Sequence, residues 1–241
     1  MKQNAILITG AARRIGRTLA LMSAEMGYAV IGHYRSSEKE VRELRRDVEK
    51  KGVPFFGVKT DFSKGAGGFM ARCLKFPVRI VGLVNNASIF EKGNFQDLAR
   101  DEYLNLLTVN TFAPLELMND FARRVKEGFV VNLLDANVFT FNENFEVYRM
   151  SKRFLEDITL DLALLYAPKI RVNAIAPGAV LPSKFSKGKE PWKAIAPLKT
   201  GGAIEDVGRA FRYLVESKSA TGQIIYVDGG LHLRKQPARK S

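Results

Sequence analysis

The sequence predicts one α/β domain, a doubly wound sheet of seven mostly parallel strands with helices on both faces. Three observations carry this. Short apolar runs alternate with longer amphipathic stretches along the whole chain, and nothing repeats. The first run, residues 5–9, opens into the turn Gly10-Ala-Ala-Arg-Arg-Ile-Gly16 and then a helical pattern reaching Met26. Finally, 241 residues suit one large domain with a sizeable core, residues 1–241 forming a single unit.

Each element has a local reason. Gly27 closes the first helix, and residues 29–34 are a second strand. Ser36 or Ser37 caps the next helix, whose Val41, Leu44 and Val48 fall on one face. Lys51-Gly52 ends it, and residues 54–59 make a third strand leading to Thr60-Asp61. Gly65-Ala-Gly-Gly68 loosens the start of a short helix running to Phe76. Residues 80–85 are a fourth strand, followed by one long helix over about 101–126 that must accommodate Pro114. Residues 129–134 are the fifth strand and deliver Asp135. The helix carrying Tyr148 runs to about Tyr166, and residues 170–176 form the sixth strand. Residues 177–200 lack a period and are expected to be a lid. Its Lys184, Lys187, Lys189 and Lys193 either attract an acidic substrate tail or simply solvate a loop. A helix over 204–215 and a strand over 222–228 precede a basic tail, 234–241, expected to be flexible and assigned no role.

Composition excludes several classes. The net charge of +13 is dispersed, and along residues 38–51 the basic side chains alternate with acidic ones, which argues for solubility and against a nucleic-acid partner. A single cysteine, Cys73, forms no internal disulfide, and no metal site is expected. No stretch approaches the roughly 20 apolar residues of a membrane span. A cytoplasmic location is expected.

In such sheets ligands bind beyond the strand C-termini, and Gly10, Asp61, Asn85 and Asp135 all end strands. A glycine loop between strand and helix lets backbone N–H groups approach a pyrophosphate at the helix N-terminus. Arg13 and Arg14 add positive charge there. The second strand ends His33-Tyr34-Arg35-Ser36, with no carboxylate before Glu38 to bind a ribose 2′-hydroxyl. Arginine there suits a 2′-phosphate, so the expected cofactor is NADPH rather than NADH. Tyr148 and Lys152, four apart, share a helix face. An ammonium beside the phenol would lower the tyrosine pKa and make it a usable acid–base group.

Thr9-Gly10, Asp61, Asn85-Asn86-Ala87, Asn110, Tyr148-x-x-x-Lys152, Pro177-Gly178 and Val227-Asp-Gly-Gly230 resemble, in order and spacing, the short-chain dehydrogenase/reductase family. Within it the chain looks most like the pteridine and dihydromonapterin (dihydrofolate) reductases. Three departures carry that narrower resemblance: Arg14 in the glycine loop, Ser88 after Ala87 with Phe90 beyond, and Asp135 where most relatives have serine.

The resemblance implies a Rossmann-type fold and a homotetramer formed through the helices at about 101–126 and 147–166. It implies hydride transfer from NADPH to a C=N bond of a pterin or folate-like ring, with Tyr148, Lys152, Asp135 and Asn110 catalytic. Tyr148 would donate the proton, Lys152 hold the nicotinamide ribose, and Asn110 support a relay water. Cofactor contacts would come from Gly10, Arg13, Arg14, Ile15, Gly16, His33, Tyr34, Arg35, Ser36, Asp61, Phe62, Asn86, Ala87, Ser88, Tyr148, Lys152, Pro177, Gly178 and Val180. Substrate contacts would come from Arg14, Ser88, Phe90, Asp135, Tyr148 and Leu181, with Phe90 stacking on the ring. Two other readings stay open: a carbonyl or 3-oxoacyl-thioester reductase in which Asp135 is neutral variation, and a non-catalytic nucleotide sensor or scaffold.

Overall fold

In this computed structural model, residues 2–139, 144–182 and 195–234 are described. The strands are β1 (Asn4–Ile8), β2 (Ala29–Tyr34), β3 (Phe55–Lys59), β4 (Arg79–Asn85), β5 (Gly128–Leu133), β6 (Ile170–Pro177) and β7 (Ile224–Val227). The helices are α1 (Arg14–Glu25), α2 (Glu38–Glu49), α3 (Phe69–Cys73), α4 (Arg100–Leu107), α5 (Ala113–Arg124), α6 (Glu146–Leu165) and α7 (Ile204–Glu216).

The strands line up in the order β3-β2-β1-β4-β5-β6-β7, and every neighbouring pair is parallel. The sheet is therefore fully parallel rather than mostly so. From β1 the chain first builds outward through β2 and β3, then crosses back to place β4 on the other side of β1. The junction between β1 and β4 is the point where winding reverses, and in such sheets ligands bind beyond the strand ends there.

A parallel sheet is covered on both faces, which is why its strands read as continuous apolar runs instead of alternating ones. On one face Phe69, Met70, Leu117, Phe121, Leu155 and Ile158 of α3, α5 and α6 close over the strands. On the other, Leu19, Leu44, Val48, Val207, Phe211 and Leu214 of α1, α2 and α7 do the same. A small third cluster, in which Leu106, Val147 and Tyr148 meet Phe90 and Phe145, sits at the strand C-termini.

The long helix expected over 101–126 is in fact three pieces. Between α4 and α5 the chain widens into a π-turn over Thr108–Phe112, closed by the Ala113 N–H donating to Thr108 O. Pro114 lies in the first turn of α5, where a missing N–H does least harm. Without that N–H the Asn110 carbonyl loses the donor it would meet in a regular helix, so the break and the proline go together. Two smaller differences follow from local chemistry. Ser37 precedes α2 as foreseen, but its side chain makes no capping bond. The helix after the glycine run is only Phe69–Cys73, short of Phe76, because the chain then tightens into turns in which Lys75 N–H donates to Arg72 O and Phe76 N–H to Cys73 O. The lid lysines and Trp192 lie outside the described residues, as does the tail beyond Arg234.

Where β4 meets β5, an added Cβ on Gly82 would lie 2.3 Å from Phe129 Cζ. Gly82→Ala is expected to destabilise the protein by about 1–3 kcal/mol through overpacking. A shift of the urea midpoint to lower concentration, at unchanged slope, checks this.

Candidate active site

The site begins with a close approach of two strand ends. Asn86, just after β4, donates its side-chain amide to Thr9 O at 2.9 Å and Gly10 O at 3.0 Å. The Thr9 hydroxyl in turn accepts the backbone N–H groups of Asn86 and Ala87, both at 2.9 Å. Gly10 takes a positive φ of 64°, and a Cβ on Gly16 would stand 2.1 Å from Gly10 O. Glycine at both positions is thus required by contact, the second holding α1 against the loop. Arg14 has a left-handed backbone too, φ 52°, unusual for a residue with a side chain. The first turn of α1 has neither a capping side chain nor a carboxylate, so it presents free positive dipole to an anion.

Beyond these strand ends opens a cleft of about 1080 Å³. That exceeds the usual space for one small ligand and suits a dinucleotide with a substrate beside it. Gly10, Arg13, Arg14 and Ile15 line its middle, and Tyr34, Arg35, Ser36, Asp61 and Phe62 line one end. Asn86, Ala87, Ser88, Phe90, Asp135, Tyr148, Lys152, Pro177, Gly178, Val180 and Leu181 line the other.

At the first end Arg35 is exposed, with no ion pair among the described residues. The nearby carboxylates are already engaged: Glu38 by Lys59 at 2.5 Å and Glu40 by Arg13. Arg13 is therefore tied back to α2, while Arg35 stays exposed at this end of the cleft. Asp61 accepts the Ser63 N–H at 2.9 Å, a bond that with Arg35 and Lys64 nearby holds its carboxyl below the usual range.

Four of the residues singled out from the sequence are held by contacts it did not show, and two of them, His33 and Arg14, line the cleft. His33 is buried, and both ring nitrogens are bound to backbone, Nδ1 to the Gly10 N–H at 3.1 Å and Nε2 to Thr60 O at 3.0 Å. Its ring nitrogens support the loop, while the residue still lines the cleft. Arg14 turns its guanidinium to the lid base, donating to Pro182 O at 2.8 Å and Leu181 O at 3.5 Å. Asn110 is fully buried and outside the cleft lining. Its Oδ1 accepts from Ile89 N and Ser88 Oγ, and its Nδ2 donates to Ile89 O and Ser151 Oγ. Three of these bonds hold the Ser88–Ile89 segment and the fourth ties it to α6, so the side chain braces this wall of the cleft. Asn85, though at a strand end, turns inward to Asn132 at 2.8 Å.

At the second end Tyr148 donates its phenol to Asp135 Oδ2 at 2.9 Å. Asp135 Oδ1 accepts both the Asn137 backbone N–H at 2.8 Å and its side-chain amide at 3.1 Å. The carboxyl thus caps a turn and faces the tyrosine at once. Burial raises the Asp135 pKa against these bonds, and burial with the adjacent carboxyl pushes Tyr148 well above 10. This corrects the expectation that Lys152 lowers the phenol: its ammonium donates instead to Leu133 O at 2.8 Å. Burial brings Lys152 down to about 8, partly offset by Asp135. The structure presents an acid–base pair of carboxyl and neutral phenol, with an ammonium beneath.

Two aromatic neighbours frame this pair. Phe90 stacks on Phe145, centroids 4.5 Å apart and 5° between planes, and meets Tyr148 edge-on at 4.7 Å. Phe145, Asn137 and Arg149 were missed from the sequence. The first lies one helical turn before Tyr148, and the second follows the Asp-x-Asn pattern of a side-chain turn, so both left a signal. Arg149, whose Nε donates to Val138 O at 3.0 Å, left none.

Together, the reversal point, the glycine loop and the Tyr148–Lys152 pair define a dinucleotide-dependent oxidoreductase, and the chain belongs to the short-chain dehydrogenase/reductase family. Residues 10–232 match a family model described as enoyl-(acyl carrier protein) reductase. Among solved structures, the chain is similar to FolM alternative dihydrofolate reductase 1 from Brucella canis complexed with NADP, with a TM-score of 0.90 and 32% identity over 98% of this chain and 97% of that one. The Brucella suis protein of the same name, also with NADP, gives 0.91 and 32% over 98% of each chain. Among curated proteins it is 31% identical to 3beta-hydroxysteroid dehydrogenase 1 of Eggerthella lenta, over 97% of this chain and 95% of that protein. It is 28% identical to the 3-oxoacyl-[acyl-carrier-protein] reductase FabG of Staphylococcus epidermidis, over 94% and 98%.

Burial holds His33 down to about 4, whereas an unfolded histidine titrates near 6.5. The unfolded chain therefore takes up the proton more readily. Stability from this group is complete above about pH 6.5 and is lost as pH falls towards about 4. The loss is up to ~3 kcal/mol from this shift alone. Urea midpoints measured across that window should fall steeply for the unmodified protein and less so for His33→Phe.

Proposed function

We propose that this protein is an NADPH-dependent reductase of a C=N bond in a pterin or dihydrofolate-like ring. The observation that carries the reading is the Asp135 carboxyl at 2.9 Å from the Tyr148 phenol, in a cleft roomy enough for a dinucleotide and a flat ring. A ketone needs only neutral donors around its oxygen, and an ionised carboxylate beside a developing alkoxide would repel it. A ring nitrogen needs a partner that can hold and give a proton, which a carboxyl with a raised pKa provides. The Brucella dihydrofolate reductases similar along nearly the whole chain support the same substrate class.

The residues fit NADP(H). The uncapped first turn of α1 receives the pyrophosphate, and Arg35 with Ser36 receives the 2′-phosphate. Lys152 reaches the cleft from α6 and holds the nicotinamide ribose. When bound, NADPH supplies the hydride that reaches the ring carbon. Asp135 and Tyr148 supply the proton for the nitrogen, their shared hydrogen bond letting it leave from the pair. Asn137 keeps the carboxyl oriented through its two bonds to Oδ1. Phe90, backed by Phe145, offers an aromatic wall for the substrate ring. The exposed apolar residues of α6, Met150, Phe154, Leu160, Leu164 and Leu165, support self-association through that helix into a homotetramer.

A carbonyl or 3-oxoacyl-thioester reductase is the second reading, favoured by the steroid dehydrogenase and FabG relatives. A non-catalytic sensor has less support, since Tyr148 and Lys152 both face the cleft.

NADPH oxidation with dihydromonapterin, dihydrobiopterin, dihydrofolate and an acetoacetyl thioester, side by side, separates the two. Turnover of the thioester alone would sink the pterin reading. Tyr148→Phe should lower kcat by roughly 100-fold or more on the true substrate. Asp135→Ser should lower pterin turnover by at least about tenfold while leaving any carbonyl activity equal or higher. Arg35→Ala should raise the KM for NADPH by about tenfold and barely change that for NADH, as loss of one charge-assisted phosphate contact requires.

A further inference from the structure

His33 is a buried polar side chain with an assigned pair of partners and no established task. It is the penultimate residue of β2, beside the loop that follows β1, and its surroundings are fully specified. The Gly10 N–H donates to Nδ1 at 3.1 Å, so Nδ1 must carry a lone pair. Nε2 stands 3.0 Å from the Thr60 carbonyl oxygen, which only accepts, so Nε2 must carry the hydrogen. These two bonds are compatible with one species alone, the neutral imidazole protonated on Nε2. The ring is further clamped by Phe62, stacked at 4.1 Å, and Phe69, edge-on at 5.4 Å. The His33 carbonyl meanwhile accepts the Ala11 N–H at 2.9 Å, so backbone and side chain together hold two successive loop residues.

We infer that His33 is a positioning residue for the dinucleotide loop: its Nδ1 fixes Gly10 in the left-handed turn that aims the next N–H groups at the pyrophosphate. This rests on the reading of the cleft as an NADP(H) site. The imidazole joins the ends of β1, β2 and β3, so one ring sets the loop and the adenosine end of the cleft relative to each other. Any residue that merely filled the space would leave the part-buried Gly10 N–H without this acceptor. The loop would then have to shift to find one. Catalysis at the Asp135–Tyr148 end, contributed by different elements, would be left intact once cofactor is bound.

The test separates the bond to Gly10 from simple packing. His33→Phe keeps a flat ring against Phe62 and removes both bonds. His33→Asn places an amide oxygen about where Nδ1 stands and restores the acceptor for Gly10. His33→Gln reaches instead towards Thr60. The dissociation constant for NADPH, read by fluorescence titration, should rise at least about tenfold in the Phe and Gln variants and return to within about threefold in Asn, as expected for loss and recovery of one buried hydrogen bond. The kcat at saturating NADPH should change less than twofold in all three. Equal affinity in Phe and the unmodified protein overturns the inference, as does rescue by Gln and not by Asn.

A second measurement reads the unmodified protein without any cofactor, a variant serving only to assign the signals. The chain has 2 histidines, so a histidine-selective ¹⁵N spectrum contains few signals, and His33 is the set absent from the Asn variant. The inference requires a neutral ring with the hydrogen on Nε2 at pH 7. A hydrogen on Nδ1, or a charged ring, overturns it whatever the cofactor proves to be. NADPH failing to bind the unmodified protein, with the Nε2 tautomer present, would instead count against the cofactor reading.

Discussion

The rest of the structure depends on how closely the end of β4 lies against the turn after β1. One side-chain amide, that of Asn86, spans two carbonyls of the glycine loop, and one hydroxyl, that of Thr9, receives two N–H groups in return. No side chain larger than hydrogen fits at Gly16, whose Cβ would overlap the Gly10 carbonyl. This contact fixes the distance between the two halves of the doubly wound sheet at the point where a ligand must enter. It leaves the N-terminus of α1 pointing into the cleft and puts Ala87 and Ser88 on the opposite wall. Both the phosphate-binding and the reacting ends of the cleft are measured from that one junction.

The acid–base end is built on a different economy, one of burial. Tyr148 and Lys152 are close on α6, yet they do not bond to each other in the described residues. The ammonium is satisfied by Leu133 O and the phenol by Asp135. Each group is moved chiefly by loss of water: the carboxyl upward, the phenol upward, the ammonium downward to about 8. All three shifts favour the uncharged form, though Lys152 at about 8 keeps its ammonium at neutral pH. The carboxyl is the residue that distinguishes this arrangement from one with a plain hydroxyl opposite the tyrosine.

Much of this was legible in the chain. The bounds of β2 follow from its apolar run between Gly27 and Arg35, and Tyr148 and Lys152 share a face because a helix returns every 3.6 residues. The strand-end positions of Gly10, Asp61 and Asp135 placed them on one rim before any geometry was known. What was hidden depends on contacts distant in sequence. Nothing near Pro114 announces a π-turn, because a proline is equally at home in the first turn of a fresh helix. The amide of Asn110 could be assigned a role only once its four partners, on two other segments, were located. That both nitrogens of His33 would be taken by Gly10 and Thr60, with Phe62 and Phe69 against the ring, depends on segments far along the chain. The direction of the Tyr148 shift was likewise misjudged, since proximity to Lys152 in sequence says nothing about which group the ammonium finally meets.

The wide turn between α4 and α5 has a consequence for how this chain tolerates change in length. A π-turn holds one residue more than the α-helix it interrupts. Because the wide turn takes up that residue, removing one from Thr108–Phe112 would restore the ordinary winding, leave the flanking helices facing nearly as before, and abolish the bulge itself. Asn110 would swing away from Ile89 and Ser151, and the wall carrying Ser88 and Phe90 would lose the bonds that brace it. The segment thus behaves as an inserted residue that the site has absorbed, so that a helix break far from the reacting atoms has become part of the spacing on which they rely.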